Sequence, residues 1–259
     1  MKSVASTLLL TVGLFGAISG EKVFKEKCSS CHSYYIPQSK LLINFNEHNN
    51  SDLNLTAPTL NQLSFAIKDR IGDRKTDSES QKFQIEEYLE EFLNDPSSKK
   101  HVVPKNISKF FNPMPSMKDK INEDEVEALA DYIYEYGEKM MIEHGVKRYS
   151  YDEALKLAKK ENKIIVIEGY IPYCRWCIKM DRRVMVDDRV KDTLNKDFLL
   201  VKVNLLTKKL PLGIERLSTP SFYFINSQGD RVLLTTEGYK NREDFIKLLK
   251  SVKNMSRSK

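Results

Sequence analysis

The sequence is short of cysteine and has no long apolar run. Four cysteines occur in 259 residues, and two Cys-x-x-Cys pairs contain all of them. An apolar stretch near the N-terminus covers only residues 8–18, which is too short for a comfortable membrane span of about 20 residues. No Gly/Ser-rich or Pro-rich linker lies within residues 138–149, and no internal repeat relates the two halves.

The first twenty residues have the pattern of a secretory signal. Lys2 gives the positive start, and Ala17-Ile18-Ser19 gives the small-x-small pattern before a cut near Ser19 or Gly20. Because no cysteine lies at this cut, a lipoprotein signal is disfavoured. The sequence therefore predicts a signal peptide at residues 1–20 and a mature protein in the periplasm. An uncleaved N-terminal anchor is the alternative.

The net charge of +6 conceals opposite signs in the two halves. Residues 21–147 contain 17 Lys and Arg against 22 Asp and Glu, a balance of −5. Residues 148–259 contain 24 against 14, a balance of +10. A basic segment alone can indicate nucleic-acid binding, but export argues against that partner. Opposite signs favour contact between the halves or steering of different partners; two ordinary solvated surfaces are the alternative.

The length suits two small domains of roughly 100–130 residues each, which we place at residues 21–146 and 147–259. The first is expected to be all-α, with a last helix that begins after Asn122 and has a capping box completed by Glu125. Its other predicted helices cover residues 21–28, 59–71 and 78–93.

The second domain is expected to be α/β. Continuous apolar runs predict buried strands, and amphipathic segments predict the helices around them. The predicted strands cover residues 164–168, 199–203, 221–225 and 232–236, and the predicted helices cover 151–161, 174–185 and 243–252.

The first cysteine pair is followed directly by histidine, in Cys28-Ser29-Ser30-Cys31-His32. This order is the attachment motif of a c-type haem. Two thiols three residues apart on one helical turn can each add to a vinyl group, and His32 then meets the iron. A zinc site that adds His48 or His101 to the same motif is the alternative.

A second axial ligand has to come from far along the chain. Met114 lies between Pro113 and Pro115, which restrict the loop around the thioether. Methionine–histidine ligation raises the haem potential and suits electron transfer. Met117, His48 and His101 are the alternative ligands, and the two histidines are more simply interpreted as surface residues.

This half resembles the class I monohaem bacterial cytochromes c over about residues 21–140. The resemblance rests on the Cys28–His32 motif, Ala57-Pro58-Thr59-Leu60, Asn112-Pro113-Met114-Pro115 and the final helix from Glu123. It implies a cytochrome c fold with one covalent haem c, which a haem-attachment machinery would insert. It also implies Met114 as distal ligand and Pro58 as the acceptor of a hydrogen bond that orients the His32 ring.

The second cysteine pair, Cys174-Arg175-Trp176-Cys177, follows a buried strand and opens a helix. A helix N-terminus stabilises a thiolate through its free amide groups and its dipole, and Arg175 adds positive charge. We therefore expect Cys174 to be the exposed attacker and Cys177 to resolve the mixed disulfide. A structural disulfide or half a metal site is the alternative, although no further Cys or His cluster lies nearby.

Residues 148–254 resemble the thioredoxin superfamily, especially periplasmic thioredoxin-like proteins such as the C-terminal domain of the transmembrane thiol–disulfide reductase. The resemblance rests on the strand ending at Glu168, on the dithiol motif and on Ser218-Thr219-Pro220-Ser221-Phe222. It implies a thioredoxin fold, a cis Pro220 beside the dithiol and Glu168 as a proton shuttle for Cys177. A solvated strand end is the alternative for Glu168.

The dithiol motif departs from the family's common Trp-Cys-Gly-Pro-Cys form. Tyr173 replaces the tryptophan, and Arg-Trp replaces Gly-Pro, so the redox potential and the favoured direction stay open. We interpret Tyr170, Tyr173 and Phe222 as packing residues.

Together these features predict a periplasmic thiol–disulfide oxidoreductase with a covalent haem c as electron-transfer partner. Expected partners are a thiol or disulfide protein substrate and a redox partner of the haem. We expect electrons to pass from dithiol to haem, with the short connection and the opposite charges favouring their approach. The alternatives are an electron-carrier cytochrome with a docking domain, and two independent activities fused for cytochrome maturation. Substrate, direction and oligomeric state stay open.

Overall fold

The structure is a computed structural model that describes residues 18–73, 78–97 and 101–257. The predicted signal peptide lies outside the described residues except for residues 18–20. Within the described ranges, no helix is long and apolar enough to cross a membrane.

The first half of the chain is helical. The helices predicted at 21–28, 59–71, 78–93 and after Asn122 are confirmed as α1, α3, α4 and α6. Two further helices, α2 and α5, were not predicted; both begin after a proline, and neither has a side-chain cap. The bounds are α1 (Gly20–Lys27), α2 (Gln38–Asn46), α3 (Leu60–Arg70), α4 (Ser78–Asn94), α5 (Lys105–Ser108) and α6 (Glu123–His144).

Helix α6 is the long element on which this half is built. Its predicted capping box is present, since Asn122 Oδ1 accepts from the Glu125 N–H at 2.9 Å and Glu125 Oε2 accepts from the Asn122 N–H at 3.0 Å. At Gly137 a Cβ atom would lie 2.6 Å from Ser64 Oγ, so glycine is needed for α3 and α6 to pack this closely. The core between α1, α3, α4 and α6 includes Phe24, Leu60, Ile85 and Leu129.

The second half is an α/β domain whose predicted strands are all confirmed. The helix α9 was not predicted, because its segment is mostly polar and only Val190 and Leu194 are buried. The bounds are α7 (Tyr151–Glu161), β1 (Ile164–Tyr170), α8 (Arg175–Arg183), α9 (Asp188–Asp197), β2 (Phe198–Asn204), β3 (Ser221–Ile225), β4 (Val232–Glu237) and α10 (Arg242–Arg257).

The four strands form one sheet in the order β2-β1-β3-β4. Strand β1 is parallel to β2 and antiparallel to β3, which is antiparallel to β4. One face of β1, with Ile164 and Val166, packs against α8, α9 and α10, and the other, with Ile165 and Ile167, packs against α7. Burial on both faces explains the continuous apolar run of this strand.

The two halves are in contact, which is one of the alternatives that their opposite charges left open. After α6, the chain is held by hydrogen bonds from the Val146 N–H to Met185 O at 3.2 Å and from the Tyr149 N–H to Leu200 O at 2.9 Å. Arg182, in the last turn of α8, pairs with Asp69 of α3 and lies 3.5 Å from Glu138 of α6. The predicted domain boundary at residue 146 falls in this connection.

Arg182→Ala should weaken the contact between the halves. Arg182 is 8 % exposed, so its loss removes a part-buried ion pair with Asp69 and one of two cations at Glu138, which keeps Lys68 at 2.9 Å. The expected cost is about 1–3 kcal/mol in the free energy of unfolding. Urea unfolding measures this. Arg183→Ala, at the exposed neighbouring position, is the matched control, and equal effects of the two variants would contradict the assignment.

Candidate active site and apolar cavity

The second cysteine pair lies where the chain leaves β1 and enters α8. Cys174 and Cys177 form a disulfide. Cys174 is the N-cap residue of α8, and its sulfur accepts a hydrogen bond from the Cys177 N–H at 3.1 Å. Cys174 is half-buried, whereas Cys177 is only 3 % exposed. Of the two sulfurs, that of Cys174 is the one an incoming thiol can reach.

Thr219 and Pro220 lie against the dithiol, and the peptide bond between them is cis. The Thr219 hydroxyl donates to Cys174 Sγ at 3.4 Å. Pro220 O accepts the Gly238 N–H at 2.8 Å, which ties this segment to the end of β4. The start of α8, the Thr219-Pro220 segment and the chain after β4 therefore meet at one place.

Glu168 is fully buried on β1, six residues before Cys174. Neither of its carboxyl oxygens has a hydrogen-bond partner among the described residues, and neither has Ser221 Oγ on the adjacent β3. The pKa of Glu168 is raised to about 7, chiefly because burial disfavours the charged form and also because Asp181 is near; Lys202 and Arg148 act in the opposite direction. The alternative interpretation of Glu168 as a solvated strand end is wrong, because no part of it reaches solvent.

Asp181 binds the cations that surround Glu168. Arg148 Nη2 lies 2.8 Å from Asp181 Oδ1, and Lys202 Nζ contacts Asp181 Oδ2. Lys202 is also the β2 partner of Glu168 in the strand register. None of these three was among the predicted site residues. The available signal was the spacing of four residues between Cys177 and Asp181, which places both on one helix face.

Tyr173 and Trp176 flank the dithiol at the surface, where they are 63 % and 48 % exposed. Tyr173 has a φ of 63°, which is uncommon for a bulky residue. The interpretation of Tyr173 as a packing residue is therefore wrong. Phe222 is buried in the core, and the Tyr170 ring lies 4.7 Å from Lys202 Nζ.

The first cysteine pair lies at the wall of an apolar cavity in the helical half. The cavity has a volume of about 400 Å³ and is lined by Cys28, Cys31 and His32 together with apolar side chains from α3, α4 and α6. Both thiols are free, and burial raises the pKa of Cys28 to about 11. Cofactor sites are typically apolar cavities of roughly 300–1,000 Å³ with few polar groups, and this one has that character.

His32 is held in place by Pro58. The His32 Nδ1 lies 2.7 Å from Pro58 O, and because a carbonyl oxygen only accepts, Nδ1 carries the proton and Nε2 keeps its lone pair. Burial lowers the pKa of His32, while the Pro58 contact opposes this effect. In the neutral ring, this tautomer leaves the Nε2 lone pair available to a metal ion.

The candidate distal ligands are placed differently. Met114 lines the cavity together with Pro113 and Pro115, and so does His101. Met117 is not among the lining residues, and its N–H donates to Leu93 O at 2.8 Å. His48 is half exposed and pairs with Asp52 on the surface. Among the residues that the structure describes, no group of three or more His, Cys, Asp or Glu side chains could hold a metal ion.

Comparison with known proteins identifies the second half. Residues 151–253 match the model of a thioredoxin-like domain. No curated protein matches the chain. The chain thus contains a thioredoxin-like domain, and the Cys174–Cys177 disulfide lies within it.

Several solved structures are similar to this chain. A DsbH oxidoreductase is 20 % identical over 42 % of this chain and 84 % of its own, with a TM-score of 0.37. A thioredoxin from Thermus thermophilus is 25 % identical over 43 % and 90 %, with a TM-score of 0.38. The C-terminal domain of DsbD from Neisseria meningitidis is 19 % identical over 40 % and 98 %, with a TM-score of 0.32.

Glu168→Gln should change how stability depends on pH. The folded-state pKa of about 7 lies above the ordinary 4.5, so between these values the folded state keeps a proton that the unfolded chain releases. The stability contributed by this group is complete below pH 4.5 and is lost as pH rises through 7.

Because glutamine mimics the protonated carboxyl, the variant should unfold like the wild type at pH 4.5. At pH 8 it should be more stable by a few kcal/mol. Urea unfolding at both values measures this, and equal stability of variant and wild type at pH 8 would contradict the raised pKa.

Proposed function

We propose that the chain is a thiol–disulfide oxidoreductase with the Cys174–Cys177 dithiol, joined to a domain that binds one haem c covalently. One observation carries the redox part. The sulfur of Cys174 caps α8, where it accepts the Cys177 N–H and the Thr219 hydroxyl. Both donors would stabilise a thiolate after reduction, and an activated, accessible thiolate is what thiol–disulfide exchange requires.

In the reducing direction, the Cys174 thiolate attacks one sulfur of a substrate disulfide and releases the other as a thiolate. Once the mixed disulfide has formed, the Cys177 thiol reacts next. Cys177 loses its proton, attacks Cys174 Sγ and closes the Cys174–Cys177 disulfide, which releases the second substrate thiolate. Two electrons pass to the substrate, and the reverse sequence oxidises a dithiol.

In these exchange steps, Glu168 acts as the acceptor of the Cys177 proton. Cys177 is almost fully buried, so its proton cannot pass directly to bulk solvent. A carboxyl with a pKa of about 7 exchanges a proton readily near neutral pH, directly or through one water. Glu168 lies on the strand that leads into the dithiol, and its carboxyl oxygens have no hydrogen-bond partner in the described chain.

The haem part of the proposal is supported by the fit of the cavity. Cys28 and Cys31 would hold the haem through thioether bonds. His32 Nε2 and the Met114 thioether would bind its iron. The apolar lining from α3, α4 and α6 would exclude water from the haem faces, and the Pro58 carbonyl would keep His32 oriented. A bound haem of this type supplies one-electron transfer.

The signal-like N-terminus supports export, so we place the protein in the periplasm. Its partners there would be a thiol or disulfide protein substrate, a redox partner of the haem and the machinery that attaches the haem.

Cys177→Ser should trap the substrate. With the resolving thiol absent, the attack by Cys174 stops at the mixed disulfide, because Cys174 is the accessible sulfur. Mass spectrometry should find a stable adduct with a disulfide peptide. Cys174→Ser is the matched control and should give no adduct and no insulin or glutathione-disulfide reduction. Full activity of Cys174→Ser would end the proposal.

Met114→Ala should remove the sulfur-to-iron charge-transfer band of the protein produced in a haem-attaching host. The haem should stay covalently attached through Cys28 and Cys31, and its potential should fall because a thioether ligand favours the reduced iron. Absorbance and a redox titration measure both effects.

Met117→Ala and His101→Ala are the controls and should keep the band. Loss of the band in Met117→Ala, together with its survival in Met114→Ala, would reassign the ligand to Met117. Absence of the band from the wild type would contradict a methionine ligand.

A further inference from the structure

An aromatic–lysine cluster lies next to the dithiol and has no part in the exchange chemistry described above. It consists of Trp176 and Lys179 on α8 and Tyr239 after β4. The two rings lie 5.6 Å apart between centroids. Lys179 Nζ lies 4.8 Å from the Trp176 centroid and 4.5 Å from the Tyr239 centroid. The ammonium group is therefore fixed by two ring faces, and Trp176 remains 48 % exposed.

Further cations lie on the chain segments that carry this cluster. Arg175 is exposed at the start of α8. Lys240 is half-buried and donates to Glu237 O at 2.9 Å. Glu237, at the end of β4, is acidic, and its Oε2 already accepts the Ser218 N–H at 2.8 Å. This surface thus combines exposed aromatic area with three cations, Arg175, Lys179 and Lys240, that form no ion pair within the described part of the chain, in a half whose balance is +10.

We infer that the aromatic–lysine cluster selects disulfide substrates in which acidic side chains flank the cysteine. This inference rests on the proposed oxidoreductase function and names its substrate class. Lys179 is ordered before the substrate arrives, so a carboxylate binds it with little loss of side-chain freedom. The exposed part of Trp176 offers apolar area to the residue next to that carboxylate.

The position of the cluster makes this recognition relevant to the reaction. Trp176 lies between the two cysteines in sequence, and Tyr239 follows Gly238, whose N–H is bound by Pro220 O. These side chains therefore lie on the same chain segments that border Cys174. A substrate with acidic residues beside its cysteine is attracted by Arg175 and Lys179 during approach and in the mixed disulfide. A substrate with basic residues there is repelled by the same two side chains.

The test uses three peptides with the same internal disulfide, flanked by two Glu, two Gln or two Lys residues. The reduced full-length protein is mixed with each peptide, and samples are acid-quenched, alkylated and quantified by mass spectrometry. At low salt the Glu peptide should oxidise the dithiol about tenfold faster than the Lys peptide, with the Gln peptide between them. The difference should shrink at high salt, which screens the attraction.

Three variants assign the preference to the cluster. Lys179→Gln should lower the Glu-to-Lys rate ratio severalfold, and Lys179→Arg should keep it. Lys247→Gln is the matched control, because Lys247 is a 78 % exposed lysine on α10 that lies near Asp244, and it should leave the ratio unchanged.

The outcomes separate the two proposals. If none of the peptides oxidises the dithiol, the oxidoreductase function fails. Equal rates for the three peptides in the wild type would overturn the substrate inference and leave the function intact. An unchanged ratio in a folded Lys179→Gln variant would also overturn it and would reduce the cluster to a packing feature.

Discussion

The hydrogen bond from the Cys177 N–H to Cys174 Sγ fixes the chemistry of the second half. The N–H groups in the first turn of a helix have no intrahelical acceptors. At α8 the Cys174 sulfur accepts a hydrogen bond from one of these N–H groups, that of Cys177. The chain leaves β1 at Tyr170 and begins α8 at Arg175. The dithiol therefore lies close to the carboxyl end of β1. Arg182 lies eight residues after Cys174, about 12 Å along the helix. The contact with the helical half is therefore at the opposite end of α8, and the dithiol end is left open to a separate protein.

The same helix controls the buried carboxyl. Asp181 follows Cys177 by one turn and binds both Arg148 and Lys202. Because these cations pair with Asp181, Glu168 has no direct counter-ion among the described residues and remains easy to protonate. A carboxylate paired with Lys202 would lose its proton well below neutral pH and would be a weak proton acceptor. The geometry of α8 thus sets which sulfur is accessible. It also sets the proton affinity of the carboxyl that we propose as the acceptor of the Cys177 proton.

Local signals predicted most of the fold, because caps and apolar runs act over a few residues. The capping boxes at Asn122 and Ser150 and the four strands are where the sequence places them. Helix α2, after Pro37, lacks such a side-chain cap, so no capping pattern in the sequence predicts it. The site was predictable as cysteine motifs and as the Thr219-Pro220 segment. The electrostatics of the site were not predictable. The Asp181 cluster joins α8, β2 and the connection before α7, and the burial of Glu168 depends on the whole sheet.

The opposite charges of the two halves have a more specific role than general attraction. The acidic partners of the helical half, Asp69 and Glu138, meet Arg182, which is itself nearly buried. Lys191 of α9 donates to His144 O at 3.1 Å, and the His144 ring stacks on Tyr35, three residues after His32. The contacts between the halves thus lie at the end of α8 and in α9, away from Cys174. The charge complementarity within the molecule is used to fix the halves together, and the basic groups beside the dithiol remain available to attract an acidic substrate from outside.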